Sequence, residues 1–249
     1  MKFYISIVSH HHDDMIINNI NNLQIAALKN VVLVIKDNVA SSTLRKYCID
    51  NKINYISSPS NIGFGNNNNV VFDSCIKNGM NECDFFCVIN PDVIIDKCNF
   101  ELMMKKIQSS NKKLFTVNLY KDSDFHIDEP SLRYFPTWSS FFRLFLRKPA
   151  NIEYNKNILD EYDIVDWAAG SFLVFKADLY KALNGFSDKY FMYYEDVDIC
   201  YRAKTQQNQS VCFFKSVKAI HDGAYANRNI LSKHFLWYIK SFITFLVSK

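Results

Sequence analysis

Short apolar runs alternate with amphipathic segments along the first half of the chain. Runs rich in β-branched and aromatic residues predict strands, and apolar residues spaced three and four apart predict helices. The predicted strands are Phe3–Ser9, Val31–Asn38, Ile53–Ser58, Asp84–Val93 and Lys113–Leu119. The predicted helices are Asp14–Leu28, Ser41–Cys48, Asn69–Lys77 and Lys97–Gln108. Such alternation predicts an α/β fold with a Rossmann-like, mostly parallel central sheet flanked by helices.

Polar residues directly follow several predicted strands. Ser9–His10 follows the first strand, Asp37–Asn38 ends the second and Asn90–Asp92 lies at the end of the fourth. Ligands of parallel sheets bind at the carboxyl ends of the strands, so we expect these residues at one edge. A carboxylate such as Asp92 there can hold a hard divalent cation. The alternative interpretation of Asp37 and Asp92 is an ordinary turn aspartate.

The segment Ser60–Asn69, SNIGFGNNNN, is too polar for a core and too poor in β-branched residues for a strand. It is either a solvated loop or a loop that holds a ligand. Glycines at 63 and 65 permit close approach of the backbone to another group.

The segment Phe191–Arg202, FMYYEDVDICYR, concentrates three acids behind aromatic residues. Acids suit the first turn of a helix, yet Asp196 beside an apolar wall is also a usable general base. Asp198 is the rival base, and its spacing from Arg202 favours an ion pair instead.

Two further candidates lie in the second half of the chain. Trp167 precedes a small-residue turn at Gly170, where an exposed indole could stack on a sugar, although a buried Trp is commoner. His221 is a candidate second metal ligand, because Asp92 alone would give a metal too few protein ligands, although a lone histidine is more often structural.

Composition excludes several classes of protein. A chain of 249 residues, 49% hydrophobic, suffices for one large α/β domain or two small ones. A net charge of +4 is too small for a nucleic-acid binder that depends on phosphate contacts, so we expect no nucleic-acid partner. Seven cysteines without a C-x-x-C pair favour a reducing cytoplasm. The N-terminus is too soon polar for a signal peptide.

The C-terminal segment Phe235–Val247 is apolar and aromatic but too short to span a bilayer. As a helix it would gather Lys240, Ser241, Thr244 and Ser248 into a narrow polar stripe. Such a helix lies in a membrane interface or docks on its own core. The basic-aromatic segment Thr137–Pro149, with Arg143, Arg147 and Lys148, favours the membrane surface.

No single motif identifies a protein family, but the order of the motifs along the chain does. The series D-N after strand two, N-x-G-F-G-x-N-N, N-P-D-V, D-W-x-x-G, E-D-x-D-x-C and A-I-H resembles the family 2 glycosyltransferases with a GT-A fold. The resemblance runs from about Phe3 to Arg228 and is strongest to bacterial O-antigen rhamnosyltransferases. Those enzymes transfer L-rhamnose from dTDP-rhamnose to N-acetylglucosamine on undecaprenyl diphosphate.

The resemblance implies donor-site roles for a set of matching residues. Base and ribose would contact Ser9, His10 and Asp37, while the nucleotide and its diphosphate would pass over a loop of Asn61, Gly63, Phe64 and Gly65. Asn90 and Asp92 stand where the family carries D-x-D, and Asp92 with His221 would bind Mg²⁺ or Mn²⁺. Asn90 replaces the first acid and brings no charge, which leaves strict metal dependence open.

The resemblance also implies an acceptor site and a single inverting displacement. Trp167 and Gly170 would shape the acceptor pocket, Asp196 would take the acceptor proton, and Glu195 would hold an acceptor hydroxyl or orient the base. Residues 1–230 would form one domain, with a nucleotide-sugar half to residue 120 and an acceptor half after it. Residues 231–249 would add a helix that docks on the inner face of the bacterial inner membrane.

Three alternatives remain open from the sequence. In the first, the fold is the same and the donor is a UDP-sugar such as UDP-N-acetylglucosamine, UDP-galactose or a UDP-furanose. A sugar-nucleotide nucleotidyltransferase shares the sheet order but needs a Gly-rich N-terminal signature that IVSHHHDD lacks. A non-catalytic sugar-binding subunit is favoured by Asn90 and opposed by the acids that remain.

Overall fold

The computed structural model describes residues 1–58, 62–145, 150–221, 223 and 233–249. Its strands are β1 Phe3–Ser9, β2 Val31–Asp37, β3 Asn54–Ser57, β4 Phe85–Ile89, β5 Val93–Ile94, β6 Leu114–Tyr120, β7 Leu132–Arg133, β8 Ile164–Val165, β9 Trp167–Ala168, β10 Phe172–Lys176 and β11 Val211–His221. Its helices are α1 Asp13–Asn18, α2 Ile20–Ala26, α3 Ser42–Asp50, α4 Phe64–Lys77, α5 Lys97–Gln108, α6 Trp138–Phe145, α7 Ala177–Ala182, α8 Glu195–Gln207 and α9 Lys233–Ser248, with a 3₁₀ turn at Lys156–Ile158.

The main sheet has the strand order β3-β2-β1-β4-β10-β6-β11-β5, with β8 paired to β11. Strands β3, β2, β1 and β4 are mutually parallel, as the alternating pattern predicted. Strand β10 enters antiparallel between β4 and β6, and β11 then runs parallel to β6. The chain starts at β1 in the middle and returns to β4, so a crevice opens between their carboxyl ends.

Helices cover both faces of the sheet, and each face has its own apolar cluster. Every residue of β1 and β4 is buried, which explains why their sequences are apolar without alternation. One cluster joins the sheet to α4, α7, α8 and α9, and the other joins it to α1, α2, α3 and α5.

Three predicted elements differ from the structure. The helix predicted at 14–28 is two helices, because Asn19 caps α2 and donates from Nδ2 to the Val93 carbonyl. The strand predicted at 84–93 is interrupted by a turn at Asn90–Asp92, in which Val93 N–H donates to the Asn90 carbonyl. The helix predicted from Asn69 begins at Phe64, so most of the polar glycine segment is helical.

Helix α9 docks on the protein core. Ser241, Phe242, Phe245 and Leu246 are buried, and Tyr194 stacks on Phe242 with ring centroids 5.1 Å apart. The predicted polar stripe is therefore divided, because Ser241 faces inward and Lys240 faces outward. In the part of the chain that the structure describes, no helix has the length and apolar character needed to cross a membrane.

Candidate active site

Two adjoining cavities lie at the carboxyl ends of β1 and β4. The strand-end cavity, about 450 Å³, is lined by the ends of β1 and β2, the start of α4, the Asn90–Asp92 turn and the inner side of α9. The carboxylate cavity, about 420 Å³, is lined by Arg133, Gly170, Glu195, Asp196 and His221 among others. Both cavities include His12, Phe64, Asn90, Asp92 and Met192, so they meet at these residues.

Asp92 and His221 lie together as the resemblance implied. His221 Nε2 is 3.3 Å from Asp92 Oδ1, and His221 Nδ1 is 3.3 Å from Glu129 Oε1. Burial would lower the pKa of His221, but its hydrogen bonds and charge interactions with Asp92 and Glu129 outweigh burial and raise the pKa to about 9. The partnership also holds the pKa of Asp92 below its ordinary value, although burial acts the other way.

Glu129 is a site residue that the sequence did not reveal. It is 2% exposed and lies in a loop after β6 with no motif around it. The Glu129 carboxylate, 3.3 Å from Nδ1, favours a proton on that nitrogen, so Nε2 would be the atom that exchanges its proton for a metal. The donor set therefore fits a hard divalent cation, with Asp92 and His221 as protein ligands and oxygens of a bound anion completing the shell.

His12 is the second residue that sequence reasoning missed, although the triple histidine after β1 was its signal. It lines both cavities, and its Nδ1 accepts from the His10 backbone N–H at 3.0 Å. The Nε2 atom of neutral His12 therefore carries the proton and can donate to an anion. Burial lowers the pKa of His12, and the nearby Asp92 opposes that shift.

The Glu195–Asp196 pair begins α8 at the wall of the carboxylate cavity. Asp196 Oδ2 accepts from the Gly170 N–H at 2.9 Å, and its Oδ1 accepts from the Val197 N–H at 2.8 Å. Glu195 is 6% exposed, and its Oε2 has no hydrogen-bond partner in the part of the chain that the structure describes. Two adjacent carboxylates thus have different surroundings.

Those surroundings act differently on the pKa values of the two carboxyl groups. Burial, followed by the charge of Asp196, raises the pKa of Glu195 to about 8. Burial also raises the pKa of Asp196, but its two backbone hydrogen bonds oppose the rise. The backbone hydrogen bonds favour the ionised form of Asp196, whereas Oε2 of Glu195 has no such donor among the described residues.

A strained backbone leads into this pair. Tyr193 and Tyr194 have φ angles of 69° and 66°, in the left-handed region that bulky side chains seldom adopt. The surrounding chain holds them there: Ser241 Oγ donates to the Met192 carbonyl at 2.9 Å, and Tyr194 is 2% exposed. Strain of this kind concentrates at functional sites, where it sets the direction of a side chain.

Asp198 is a structural residue, as its spacing predicted. Arg202 Nε donates to Asp198 Oδ2 at 2.7 Å, and the Tyr190 hydroxyl donates to Oδ1 at 3.4 Å. The same guanidinium donates to the carbonyls of Leu183 and Gly185. These contacts place Asp198 outside the reacting groups.

Packing within the protein requires glycine at positions 63 and 65. A Cβ atom on Gly63 would lie 1.9 Å from the Phe191 carbonyl oxygen, and one on Gly65 would lie 2.7 Å from Phe186 Cβ. Close packing within the protein therefore excludes a side chain at both positions, and the approach of a donor to this loop stays a prediction. Gly63 and Phe64 still line the strand-end cavity, and Asn61 lies outside the described residues.

Asp37 was predicted to contact the base or ribose, but it lines neither cavity. Its oxygens accept from the backbone N–H groups of Val39 and Ser41 and from the Tyr55 hydroxyl, each at 2.8 Å. Asp37 instead fixes the turn after β2, and its neighbour Asn38 lines the strand-end cavity.

Ser9 and His10 were both predicted to contact the base and ribose, but only His10 lines a cavity. Ser9 is buried, and its Oγ accepts from the His12 N–H at 3.3 Å. It therefore supports the histidine turn, whereas His10 is exposed and lines the strand-end cavity.

Trp167 is a core residue rather than a sugar-stacking platform. It is 2% exposed, and its Nε1 donates to the Tyr134 carbonyl at 3.0 Å. Arg133 lies over its ring at 5.1 Å and itself lines the carboxylate cavity. Trp167 thus supports the pocket from behind, while Gly170 borders the cavity directly, as predicted.

A further group of ligand-type side chains lies elsewhere. Asp122, Asp124 and His126 bring their ligand atoms within 4.8 Å of one another in a surface loop after β6. Asp122 already accepts from the backbone N–H groups of His126 and Ile127. This loop group lines neither cavity.

Comparison with known proteins supplies relatives for the whole chain. No protein-family model matches it. It is 31% identical over 249 residues to rhamnosyltransferase WbbL of Escherichia coli strain K12, across 99% of this chain and 93% of that protein. It is 28% identical over 192 residues to the low-salt glycan biosynthesis hexosyltransferase Agl10 of Haloferax volcanii, across 76% of this chain and 58% of that protein.

A solved structure shares the fold. Mannosyltransferase PcManGT from Pyrobaculum calidifontis, in complex with GDP-Man and Mn²⁺, aligns with a TM-score of 0.59 at 9% identity. The alignment covers 96% of this chain and 60% of that one. At that identity the likeness concerns the architecture.

Proposed function

Because the chain belongs to the family 2 glycosyltransferases with a GT-A fold, we propose that it transfers L-rhamnose from dTDP-rhamnose, with inversion, to N-acetylglucosamine on a lipid diphosphate. The product would enter an O-antigen or another surface polysaccharide. The 31% identity to a rhamnosyltransferase over 99% of the chain supports this choice of sugar.

One observation carries the proposal: the two cavities meet at Asp92, and Asp196 lines the second of them. The strand-end cavity has apolar walls for a base and a polar side at His12 and Asp92 for a diphosphate. The carboxylate cavity has room for an acceptor sugar beside a general base. A donor whose diphosphate lies at Asp92 would direct its anomeric carbon toward the second cavity.

The proposed chemistry assigns separate tasks to the residues at this junction. Asp196, held by the N–H groups of Gly170 and Val197, accepts the proton of the acceptor hydroxyl as its oxygen attacks the anomeric carbon. Protonated Glu195 donates a hydrogen bond within the acceptor site. His12 donates from Nε2 to the departing diphosphate. Asp92 and His221 would hold Mg²⁺ or Mn²⁺, which supplies positive charge to the leaving group.

The acceptor lipid requires a site at a membrane surface, which we place on the outer faces of α6 and α9. The two helices are in contact, since Phe141 and Phe242 have ring centroids 5.8 Å apart. The sequences Trp138–Phe145 and Lys233–Lys249 contain no acidic residue, which suits an anionic leaflet. Large apolar side chains are exposed on both helices: Trp138 51%, Phe142 64%, Leu236 67%, Ile243 39% and Val247 70%.

The membrane proposal rests on the described part of these helices. Arg147 and Lys148, which the sequence suggested as membrane contacts, lie outside the described residues. Lys240 is exposed in the middle of the outer face of α9 and supplies a positive charge among its apolar residues.

A thermal-shift panel of dTDP, UDP, GDP and ADP, each with and without Mn²⁺, tests the donor. A ligand that binds only the folded protein at a hundredfold excess over its Kd stabilises it by about 2.7 kcal/mol. We expect a Mn²⁺-dependent shift with dTDP and rhamnosyl transfer to an N-acetylglucosaminyl-diphospholipid. A shift with UDP instead would replace the sugar, and no shift with any nucleotide would contradict the proposal.

A further inference from the structure

Helix α9 contributes side chains to the strand-end cavity as well as to the outer surface. Trp237 and His234 line this cavity together with Phe191. The neighbouring residue Leu236 faces the opposite way and is 67% exposed. Consecutive residues of one helix therefore serve an inner and an outer surface, a division that follows from the helical rotation between them.

The inner residues of α9 form an aromatic wall. Trp237 and Phe191 have ring centroids 4.9 Å apart, and Trp237 and His234 have centroids 5.1 Å apart. His234 Nδ1 is 3.0 Å from the Tyr193 hydroxyl, which fixes the imidazole at the edge of the wall. Such a cluster offers flat, weakly polar surface to a planar ligand.

The wall is held from both sides. The Phe191 carbonyl accepts from the Phe64 N–H at 3.2 Å, at the start of α4. On the other side, Ser241 Oγ donates to the Met192 carbonyl at 2.9 Å. The segment Phe191–Met192 is thus fixed between α4 and α9, so the wall is present before any ligand binds, which lowers the entropic cost of stacking.

We propose that Trp237, with Phe191 beside it, is the surface on which the base of the donor nucleotide stacks. This inference rests on the proposed function, because it assumes a nucleoside diphosphate in the strand-end cavity. A divalent cation at Asp92 and His221, together with the Nε2–H donor of His12, would hold the diphosphate at that end of the cavity, so the uncharged, planar base is left to the aromatic wall. Asn38, on the cavity at the end of β2, supplies an amide for the base or ribose.

The orientation of Asn38 agrees with that role. The buried Lys36 ammonium donates to Asn38 Oδ1 at 2.9 Å and to the Ser58 carbonyl at 3.2 Å. Because its oxygen is occupied, Asn38 presents its Nδ2–H₂ donors to a ligand. A pyrimidine base carries ring carbonyl oxygens that accept such bonds.

Two adjacent residues, Trp237 and Leu236, are compared with two kinds of ligand, nucleoside diphosphates and pyrophosphate. Kd values for dTDP, UDP and inorganic pyrophosphate are measured in the presence of Mn²⁺ for the full-length wild type, Trp237→Ala, Trp237→Phe and Leu236→Ala. Stacking predicts that Trp237→Ala weakens nucleotide binding on the order of 10- to 100-fold. Pyrophosphate, which has no base, should bind this variant as it binds the wild type.

The remaining variants separate stacking from folding. Trp237→Phe keeps a ring and should recover most of the nucleotide affinity, whereas Leu236→Ala should match the wild type with every ligand. Equal nucleotide affinity in Trp237→Ala and the wild type would overturn the stacking role. An equal loss of nucleotide and pyrophosphate would also overturn it, since the wall would then act only on the shape of the site. A wild type that binds pyrophosphate but no nucleotide would contradict the donor proposal itself.

Discussion

His221 Nε2 lies 3.3 Å from Asp92 Oδ1 because β5 and β11 are paired antiparallel, with Val93 opposite His221. One backbone pairing thus joins two residues that are distant in the sequence. Glu129 Oε1 lies 3.3 Å from the other ring nitrogen, Nδ1. This carboxylate–histidine–carboxylate arrangement gives the first prediction.

Glu129→Gln is expected to weaken Mn²⁺ binding 10- to 100-fold in the presence of nucleotide, because a neutral amide orients His221 less firmly. Electron paramagnetic resonance of free Mn²⁺ measures the affinity directly, without turnover. Asp122→Asn, in the surface loop, is the control and should bind Mn²⁺ like the wild type. Unchanged affinity in Glu129→Gln would remove Glu129 from the site.

Asp196→Asn is expected to bind donor nearly normally and to lose rhamnosyl transfer by on the order of 10²–10⁴-fold, since the amide cannot accept a proton. The two N–H donors meet different oxygens of Asp196, so the amide leaves one of them without an acceptor, and a cost of about 1–3 kcal/mol in the free energy of unfolding is expected. Initial rates at saturating donor, together with Kd for the nucleotide, measure the two effects. Turnover like that of the wild type would assign the base elsewhere.

Asp198→Asn should act on stability instead. Removing one partner of a buried, hydrogen-bonded ion pair costs about 3–5 kcal/mol, because the Arg202 charge is left without its counterion. Urea denaturation should therefore show a large decrease in the free energy of unfolding. The transfer activity of the protein that remains folded should stay within a few fold of the wild-type activity. A stable but inactive Asp198→Asn protein would contradict this assignment.

Glu195→Gln should change how stability depends on pH. The folded-state pKa of Glu195, about 8, lies above its ordinary value of 4.5, so protonated Glu195 contributes stability that is full below pH 4.5. The wild type loses that contribution as pH rises to about 8, with a slope of at most about 1.4 kcal/mol per pH unit. Glu195→Gln should lack this loss.

Urea denaturation at several pH values between 4.5 and 8.5 measures the difference. As pH rises across this interval, the free energy of unfolding of the variant should increase steadily relative to that of the wild type. The exposed Glu82→Gln is the matched control and should keep the wild-type slope. Parallel curves for Glu195→Gln and the wild type would show that Glu195 is ionised in the folded protein at neutral pH.

Substitutions on the outer face of α9 should weaken membrane binding without unfolding the protein. Leu236→Glu with Val247→Glu replaces exposed apolar contacts by charges that an anionic bilayer repels. Co-sedimentation with phosphatidylglycerol–phosphatidylcholine vesicles should fall at least several-fold. Ile49→Glu, an equally exposed position on α3, controls for added charge. Unchanged sedimentation of the double variant would reject this face.

The parallel half of the fold was predictable from the sequence because its signals are local. The boundaries of β1 match the prediction, since an apolar run with a sharp polar end specifies a buried strand. The position of Asp92, Asp196 and His221 at one site followed from the order of the motifs. The antiparallel entry of β10 and the helical start at Phe64 did not, because each depends on partners elsewhere in the chain.

The sequence by itself determined the class of fold, the family and most of the chemical groups of the site. Tertiary structure alone decided which of those groups face the cavities. Asp37 is engaged by its own turn, Trp167 is buried under Arg133, and Gly63 is required by the Phe191 carbonyl. Glu129 and Trp237 reach the cavities through long-range packing, whereas a local turn on Ser9 places His12. Residue type and spacing indicate which face of a helix is apolar, but not which distant segment that face meets, because the pairing follows from burial across the whole fold.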